Sequence, residues 1–162
     1  MFKKQLDKID LGILDLLQRD CRITHKAIAS ELNISITPVH VRIKRLEEEG
    51  FISRYVALLD PKKIGEHLTP YVQVHIKPHS EESLAAFGKE MAFIPEVVEC
   101  SQLTGKADFL LKVMVRDMEG FNQLVMDRLS KLYMVENMES FFVMSQPKYQ
   151  TAVAIDAKLA VQ

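Results

Sequence analysis

His40 and Lys44 stand four residues apart in the stretch ISITPVHVRIKRLEEEG, a spacing that puts an imidazole and an ammonium one above the other on a single helix face. Hydroxyls precede them at Ser35 and Thr37, and guanidiniums flank them at Arg42 and Arg45. Such groups donate hydrogen bonds to phosphate oxygens and to base edges, and they make no covalent bond in doing so. Groups that would do covalent chemistry are missing from the pattern. From Thr69 onward there is no Cys-His pair, no glycine-rich phosphate loop and no metal-ligand spacing on one helical face. His75 and His79 are four apart, but they fall at a strand end and in a turn, so they share no helical face. The sequence therefore predicts a binding protein with no catalytic residue, no metal and no cofactor.

The elements that must position these side chains are two helices joined by a tight turn, from Thr24 to Phe51. Thr24 is an N-cap, and Ala27, Ile28 and Leu32 lie on one side of a short helix. Asn33 accepts the left-handed backbone that ends it. Ser35 caps a second helix, and Pro38 falls within its first turn, where a missing N–H costs nothing. Val39, Ile43 and Leu46 form the buried stripe of that helix, its outer side carries Thr37, His40, Val41 and Lys44, and Gly50 ends it. A short helix, a three-residue turn and a longer helix with a polar, partly basic outer side is the pattern of a helix-turn-helix, although any small helical hairpin shares its periodicity. Residues 7–18 place Ile9, Ile13, Leu16 and Leu17 on one side of a preceding helix that Asp7 or Asp10 can cap, so the first unit is a trihelical bundle. FISRYVALLD after Gly50 reads as two short strands, or one strand and a linker, which would make a winged variant. The expected DNA-contact set is Ser35, Thr37, Pro38, His40, Arg42, Lys44, Arg45 and Arg54, with Arg22 and Lys26 in a second line. Arg45 could instead pair with Glu31 or Glu48.

Charge supports this division. The formal net charge of the 162 residues is −1, but residues 1–63 hold 12 Lys and Arg against 9 Asp and Glu, whereas the other 99 hold 9 against 13. The basic charge is concentrated where the helix pair lies. The two cysteines, Cys21 and Cys100, are far apart and are expected as buried or half-buried thiols in a reducing compartment. A charge interrupts the would-be apolar core of any leader in MFKKQLDKIDLGIL, and no run approaches the roughly 18 apolar residues of a membrane span, so the protein is expected in the cytoplasm.

From Thr69 the period changes. YVQVHIK alternates as a half-covered strand, Ser80 caps the helix EESLAAFGKEMAFI, and VVECSQL is a second strand. After the turn TGKAD the order repeats with FLLKVMV, a helix capped by Asp117 and the strand VENMESFFVM; KYQTAVAI could add a last short strand. The halves superimpose at an offset near 39, Val74 on Val113. The predicted fold class is α+β, a winged helix-turn-helix over residues 1–60, a linker over 61–68 and a ferredoxin-like βαββαβ domain over 69–162. Helices cover one face of such a sheet. The other face would expose Tyr71, Leu110, Met114 and Phe142 unless the C-terminal segment or a second copy of the sheet covers it, and two-fold pairing suits a helix-turn-helix reader. The turn from Thr104 to Asp108 offers N–H groups around Gly105 that a carboxylate could approach, and Asp108 could receive an ammonium. The same residues also suit a plain strand-connecting turn with Gly105 at positive φ and Asp108 capping its own backbone.

Taken together, LDKIDLGILDLLQRDCRIT, ISITPVHVRIKRLEEEGFISRYVALLDPKKIG, LTGKADFLLKV and FFVM resemble the Lrp/AsnC family of leucine-responsive and asparagine-operon regulators over nearly the full chain. Lys106 stands where many relatives are acidic, and Asn33 where many carry Gly. The resemblance implies a transcription regulator that binds double-stranded DNA, dimerises and assembles into an octamer or similar ring. It also implies a small effector, usually an amino acid, held between effector domains. The effector set it points to is Thr104, Gly105, Lys106, Ala107 and Asp108, with Ser140 at a hydroxyl position on a neighbouring strand. A regulator that needs no ligand, in which the second domain only assembles the protein, would share every DNA residue and differ only in this turn.

Overall fold

Local capping bonds set the starts of the first two helices. In the computed structural model, which describes residues 6–65 and 68–156, α1 spans Lys8–Arg19. It opens on a reciprocal cap in which the Asp10 N–H donates to the Asp7 carboxylate (2.8 Å) and the Asp7 N–H to the Asp10 carboxylate (3.0 Å). Helix α2 (His25–Glu31) starts where Thr24 Oγ1 accepts the Ala27 N–H. Asn33 then turns the chain at φ 53°, as its small polar side chain permits, and α3 runs over Ile36–Glu48 until Gly50 at φ 76° ends it. The three helices enclose Leu11, Ile13, Ile28, Val39, Ile43 and Leu46. Gly12 allows Leu32 to come close to α1, since a β-carbon there would lie 2.6 Å from a Leu32 methyl.

The strands expected in 51–60 do not form. These residues make no ladder within the chain, and a single helical turn, α4 (Pro61–Ile64), follows. The Phe51 and Ile52 N–H groups donate to the Leu46 carbonyl at the end of α3 and not to a partner strand, so alternation of side chains alone was not enough to make a sheet.

The second unit, residues 59–147, is built as expected from its period-two and period-3.6 segments. Its order is β1 (Pro70–Ile76), α5 (Glu81–Met91), β2 (Val97–Gln102), β3 (Phe109–Val113), α6 (Met118–Asp127), a 3-10 turn (Leu129–Lys131) and β4 (Val135–Phe142). Ser80 and Asp117 cap the two helices by accepting the Ser83 and Gly120 N–H groups. The sheet order β2-β3-β1-β4 with antiparallel neighbours is the ferredoxin-like arrangement. Val72, Val74, Phe109, Leu111 and Val113 face the helices and pack on Phe87, Met91, Phe121 and Leu124. Strands β1 and β3, which the offset near 39 aligns, both alternate buried and half-buried residues, as any half-covered strand does.

Strand register corrects one expectation about the uncovered face. Phe142 pairs with Pro70, on the same side as buried Val72, and its ring stands edge-on to that of Phe121. Phe141, opposite Tyr71 and 48% exposed, is the aromatic on the other face, with Tyr71 and Leu110. Side chains alternate strictly, so one residue of register exchanges the two phenylalanines.

The C-terminal segment also departs from expectation. It adds no strand to the sheet; residues 148–156 belong with residues 6–58. Gln18 Nε2 donates to the Val153 carbonyl (2.8 Å), Gln18 Oε1 accepts the Val153 N–H (2.9 Å), and Ile155 packs on the trihelical core. One amide side chain thus substitutes for a partner strand. Gln18→Ala should free this segment at little cost to the helices, about 1 kcal/mol. The expected result is faster amide exchange at Val153 with unchanged exchange in the core of α3.

The cysteine expectation also changes, because Cys21 and Cys100 are both exposed. No helix among the described residues is long and apolar enough to cross a membrane.

Candidate DNA-reading and effector-binding sites

Helix α3 presents Ser35, Thr37, Pro38, His40 and Lys44 to solvent, as its period requires once Val39, Ile43 and Leu46 are inside. Ser35 has the backbone of an N-cap but makes no side-chain capping bond. The His40 ring lies against that of His25, at the start of α2, with centroids 5.5 Å apart. Lys44 lies 3.7 Å from Glu48, and both are about two-thirds exposed, so the pair is screened and leaves the ammonium available. Arg54 is exposed on the irregular segment after α3. That segment is tied back by Tyr55, a residue the sequence pattern did not single out, whose hydroxyl donates to Glu47 Oε1 at 2.8 Å. Burial, reinforced by the Glu47 carboxylate, pushes the Tyr55 phenol up to about 12, so it remains a donor across the physiological range.

Arg42 and Arg45 turn the other way, which corrects their assignment as phosphate clamps. Arg42 Nη1 reaches Asp7 (2.6 Å) and Asp10 (2.7 Å), and Arg45 reaches the second oxygen of Asp10. Asp10 is 1% exposed and also accepts the Asp7 N–H. The reason is position on the helix. Arg42 and Arg45 lie on the side of α3 that meets α1, where a buried carboxylate demands cations more strongly than solvent rewards them. Burial works against the charged forms of both Asp7 and Arg42. For Asp7, the Asp10 N–H and the Arg42 guanidinium outweigh it and hold the carboxyl below its ordinary value; for Arg42, the two carboxylates hold the guanidinium pKa above its own. Neither Glu31 nor Glu48 is the partner of Arg45 among the described contacts.

In the second unit, the Leu103 N–H donates to the Asp108 carbonyl (2.8 Å) and the Asp108 N–H to the Val74 carbonyl (3.0 Å), closing the loop that connects β2 to β3. Thr104, Gly105 and Lys106 are exposed, and Ala107 is buried as the foot of the loop. The Asp108 carboxylate accepts the Ile76 N–H (2.7 Å) through one oxygen and faces His79 Nε2 (2.9 Å) through the other. It therefore caps the end of the neighbouring strand rather than its own backbone, and it brings in His79, which sequence spacing could not connect to it. Ser140 does not join this group within one chain. It sits opposite Val72 on the far side of β1, while Asp108 binds at Ile76, four residues or about 13 Å further along the strand.

Gly105 is not at positive φ, unlike Gly50 and Gly65, and an added β-carbon there would meet no atom within 4 Å. Neither backbone conformation nor crowding inside the chain requires a glycine at this point. Among the described residues no group of three or more His, Cys, Asp or Glu could hold a metal ion.

Both units have known counterparts. Residues 6–53 match the winged helix-turn-helix DNA-binding family, and residues 69–153 match the Lrp/AsnC ligand binding domain. The chain is 37% identical over 151 residues to the DNA-binding transcriptional activator DecR of Escherichia coli (strain K12), covering 93% of this chain and 99% of that protein. It is 32% identical over 155 residues to the leucine-responsive regulatory protein of the same strain, covering 96% and 94%. Among solved structures it is similar to a transcriptional regulator of Neisseria meningitidis in complex with L-Met, with a TM-score of 0.87, 32% identity, and 92% of this chain and 96% of that one covered. A helix-turn-helix with an exposed polar reading face, a ferredoxin-like second unit, and family matches over both place the chain in one group: it belongs to the Lrp/AsnC family of transcriptional regulators.

Proposed function

We propose that this protein regulates transcription in response to an amino acid, which it holds at the loop from Thr104 to Asp108. The observation that carries the reading is Gly105, a glycine that its own chain does not need, on an exposed loop beside an anchored carboxylate. A hydrogen atom in place of a side chain lets a ligand carboxylate reach the loop N–H groups. In this reading Asp108, whose carboxylate is held by the Ile76 N–H and His79, receives the ammonium beside those two contacts, and Lys106 favours ligands with an acidic or neutral side chain. The match of residues 69–153 to a ligand binding domain and the L-Met complex of the Neisseria relative support the same class of ligand.

On the DNA side, Ser35, Thr37, Pro38, His40 and Lys44 form the reading face of α3, and Arg54 meets phosphate from the segment beside it. Two copies pair through the uncovered sheet face of Tyr71, Leu110 and Phe141, dimers assemble into a ring, and the ligand sits between effector domains, where Ser140 of a second chain can complete the site. Ligand binding shifts the balance among assemblies, a coupling of typically 1–3 kcal/mol. The working compartment is the cytoplasm. The second reading, a regulator that needs no effector, keeps the same DNA face and makes the loop a connector only; Asp108 capping Ile76 favours it.

The test on DNA is a salt titration of duplex binding. Lys44→Ala should weaken binding to every sequence and flatten the plot of log affinity against log salt by about one unit. An unchanged slope would remove Lys44 from the phosphate interface. Repeating the titration with each amino acid present reads the coupling directly.

A further inference from the structure

The line of α3 that points directly away from its buried stripe runs through Thr37, Val41, Lys44 and Glu48. At about 100° per residue, Val41 lies about 190° round the axis from the mean direction of Val39, Ile43 and Leu46. Val41 is 60% exposed, so a β-branched apolar side chain stands on the outward line of a face otherwise made of hydrogen-bonding groups. We propose that Val41 is a base-reading residue whose methyl groups pack on the C5-methyl of a thymine in the major groove, so that the duplexes this protein prefers carry thymine at that position. The inference rests on the reading of α3 as the recognition helix made above.

Three physical points favour it. The outward centre of a recognition helix meets the groove floor, and the thymine methyl is the apolar group displayed there. Valine in a helix holds essentially one χ1 rotamer, so packing it costs little side-chain entropy. A valine set against the N4 amino group of cytosine or the O6 and N7 of guanine would strip water from those groups and return no hydrogen bond, which penalises the wrong bases as well as rewarding the right one. Thr37 lies one turn earlier on the same line, about 6 Å along the axis, with a methyl of its own.

The test uses the full-length protein. It first selects its preferred duplex from a random-sequence pool, and each thymine of that duplex is then replaced singly by deoxyuridine, which pairs identically but lacks the methyl. At one thymine or more the replacement should lower affinity about fourfold, the factor corresponding to about 0.8 kcal/mol for one buried methyl-sized group. In Val41→Ala, which removes no core contact and should leave helix content unchanged, the same replacement should change affinity by less than about 1.5-fold. Lys44→Ala should bind every duplex more weakly and keep the fourfold penalty. Indifference of the wild-type protein to deoxyuridine at every position would overturn the inference. So would an equal penalty in wild type and Val41→Ala, which would assign the effect to duplex stiffness. A protein that selects no duplex at all would overturn the recognition-helix reading itself, and the inference with it.

Discussion

Asp10→Ala should loosen the trihelical unit by about 3 kcal/mol, a factor of about 150 in its opening equilibrium, although Asp10 lies inside the unit and not on the outer side of α3. The carboxylate is 1% exposed and holds the Asp7 N–H, Arg42 and Arg45 at once. Removing it leaves two guanidiniums without their shared anion and half of the α1 cap undone. The value falls at the low end of the range for breaking a buried pair because Arg42 and Arg45 keep 28% and 40% of their side-chain surface in water. Hydrogen exchange in α1 to α3 measures the opening without requiring the two units to melt together. Arg42→Ala supplies the contrast. A phosphate clamp would lower the salt slope of DNA binding and leave exchange alone; the ion pairs seen here predict an unchanged slope and faster exchange. DNA affinity should still fall in Asp10→Ala, since the reading face of α3 is only as rigid as its packing on α1.

The second large effect expected is a rise in melting temperature with one amino acid among the twenty. At a hundredfold excess over its dissociation constant, a ligand that binds only the folded protein adds about 2.7 kcal/mol, or about 5 °C or more in a chain of this size. Gly105→Ala should abolish the shift while leaving the unliganded melting temperature in place, because the new β-carbon meets nothing within 4 Å and the backbone is already in an ordinary region. Asp108→Ala is the less clean variant. Its carboxylate also caps Ile76 and faces His79, so its loss lowers the starting stability whether or not a ligand binds. The mass in solution, followed in the same samples, shows whether the ligand changes the assembly. A protein that binds DNA, remains oligomeric and shifts with none of the twenty would establish the second reading and leave the loop from Thr104 to Asp108 as a connector.

The sequence by itself determined the features whose causes lie within about four residues. Thr24, Ser80 and Asp117 cap helices because the N–H groups they satisfy belong to residues three further on. Asn33 and Gly50 turn the chain because their own steric freedom permits positive φ. Alternation in 70–76 and 109–113 declared the sheet, and the stripe Val39, Ile43, Leu46 declared which side of α3 is outward. Period and caps together were enough for the fold class and for which side chains of α3 point outward.

Contacts across long separations were decided by the tertiary structure alone. Arg42 is 32 residues from Asp10, and nothing in their spacing says that a buried carboxylate will take two of the cations that look free in the sequence. Asp108 meets Ile76 across 32 residues, and Val153 meets Gln18 across 135. Segment 148–156 alternates well enough to suit a strand, but its place depends on which surface offers a partner for its backbone, and Gln18 does. Phe141 and Phe142 are chemically alike, and only the pairing of β4 with β1 settles which one faces the helices. In each case the deciding energy is the desolvation of a polar group or the burial of an apolar one, and that energy exists only after distant parts of the chain have met.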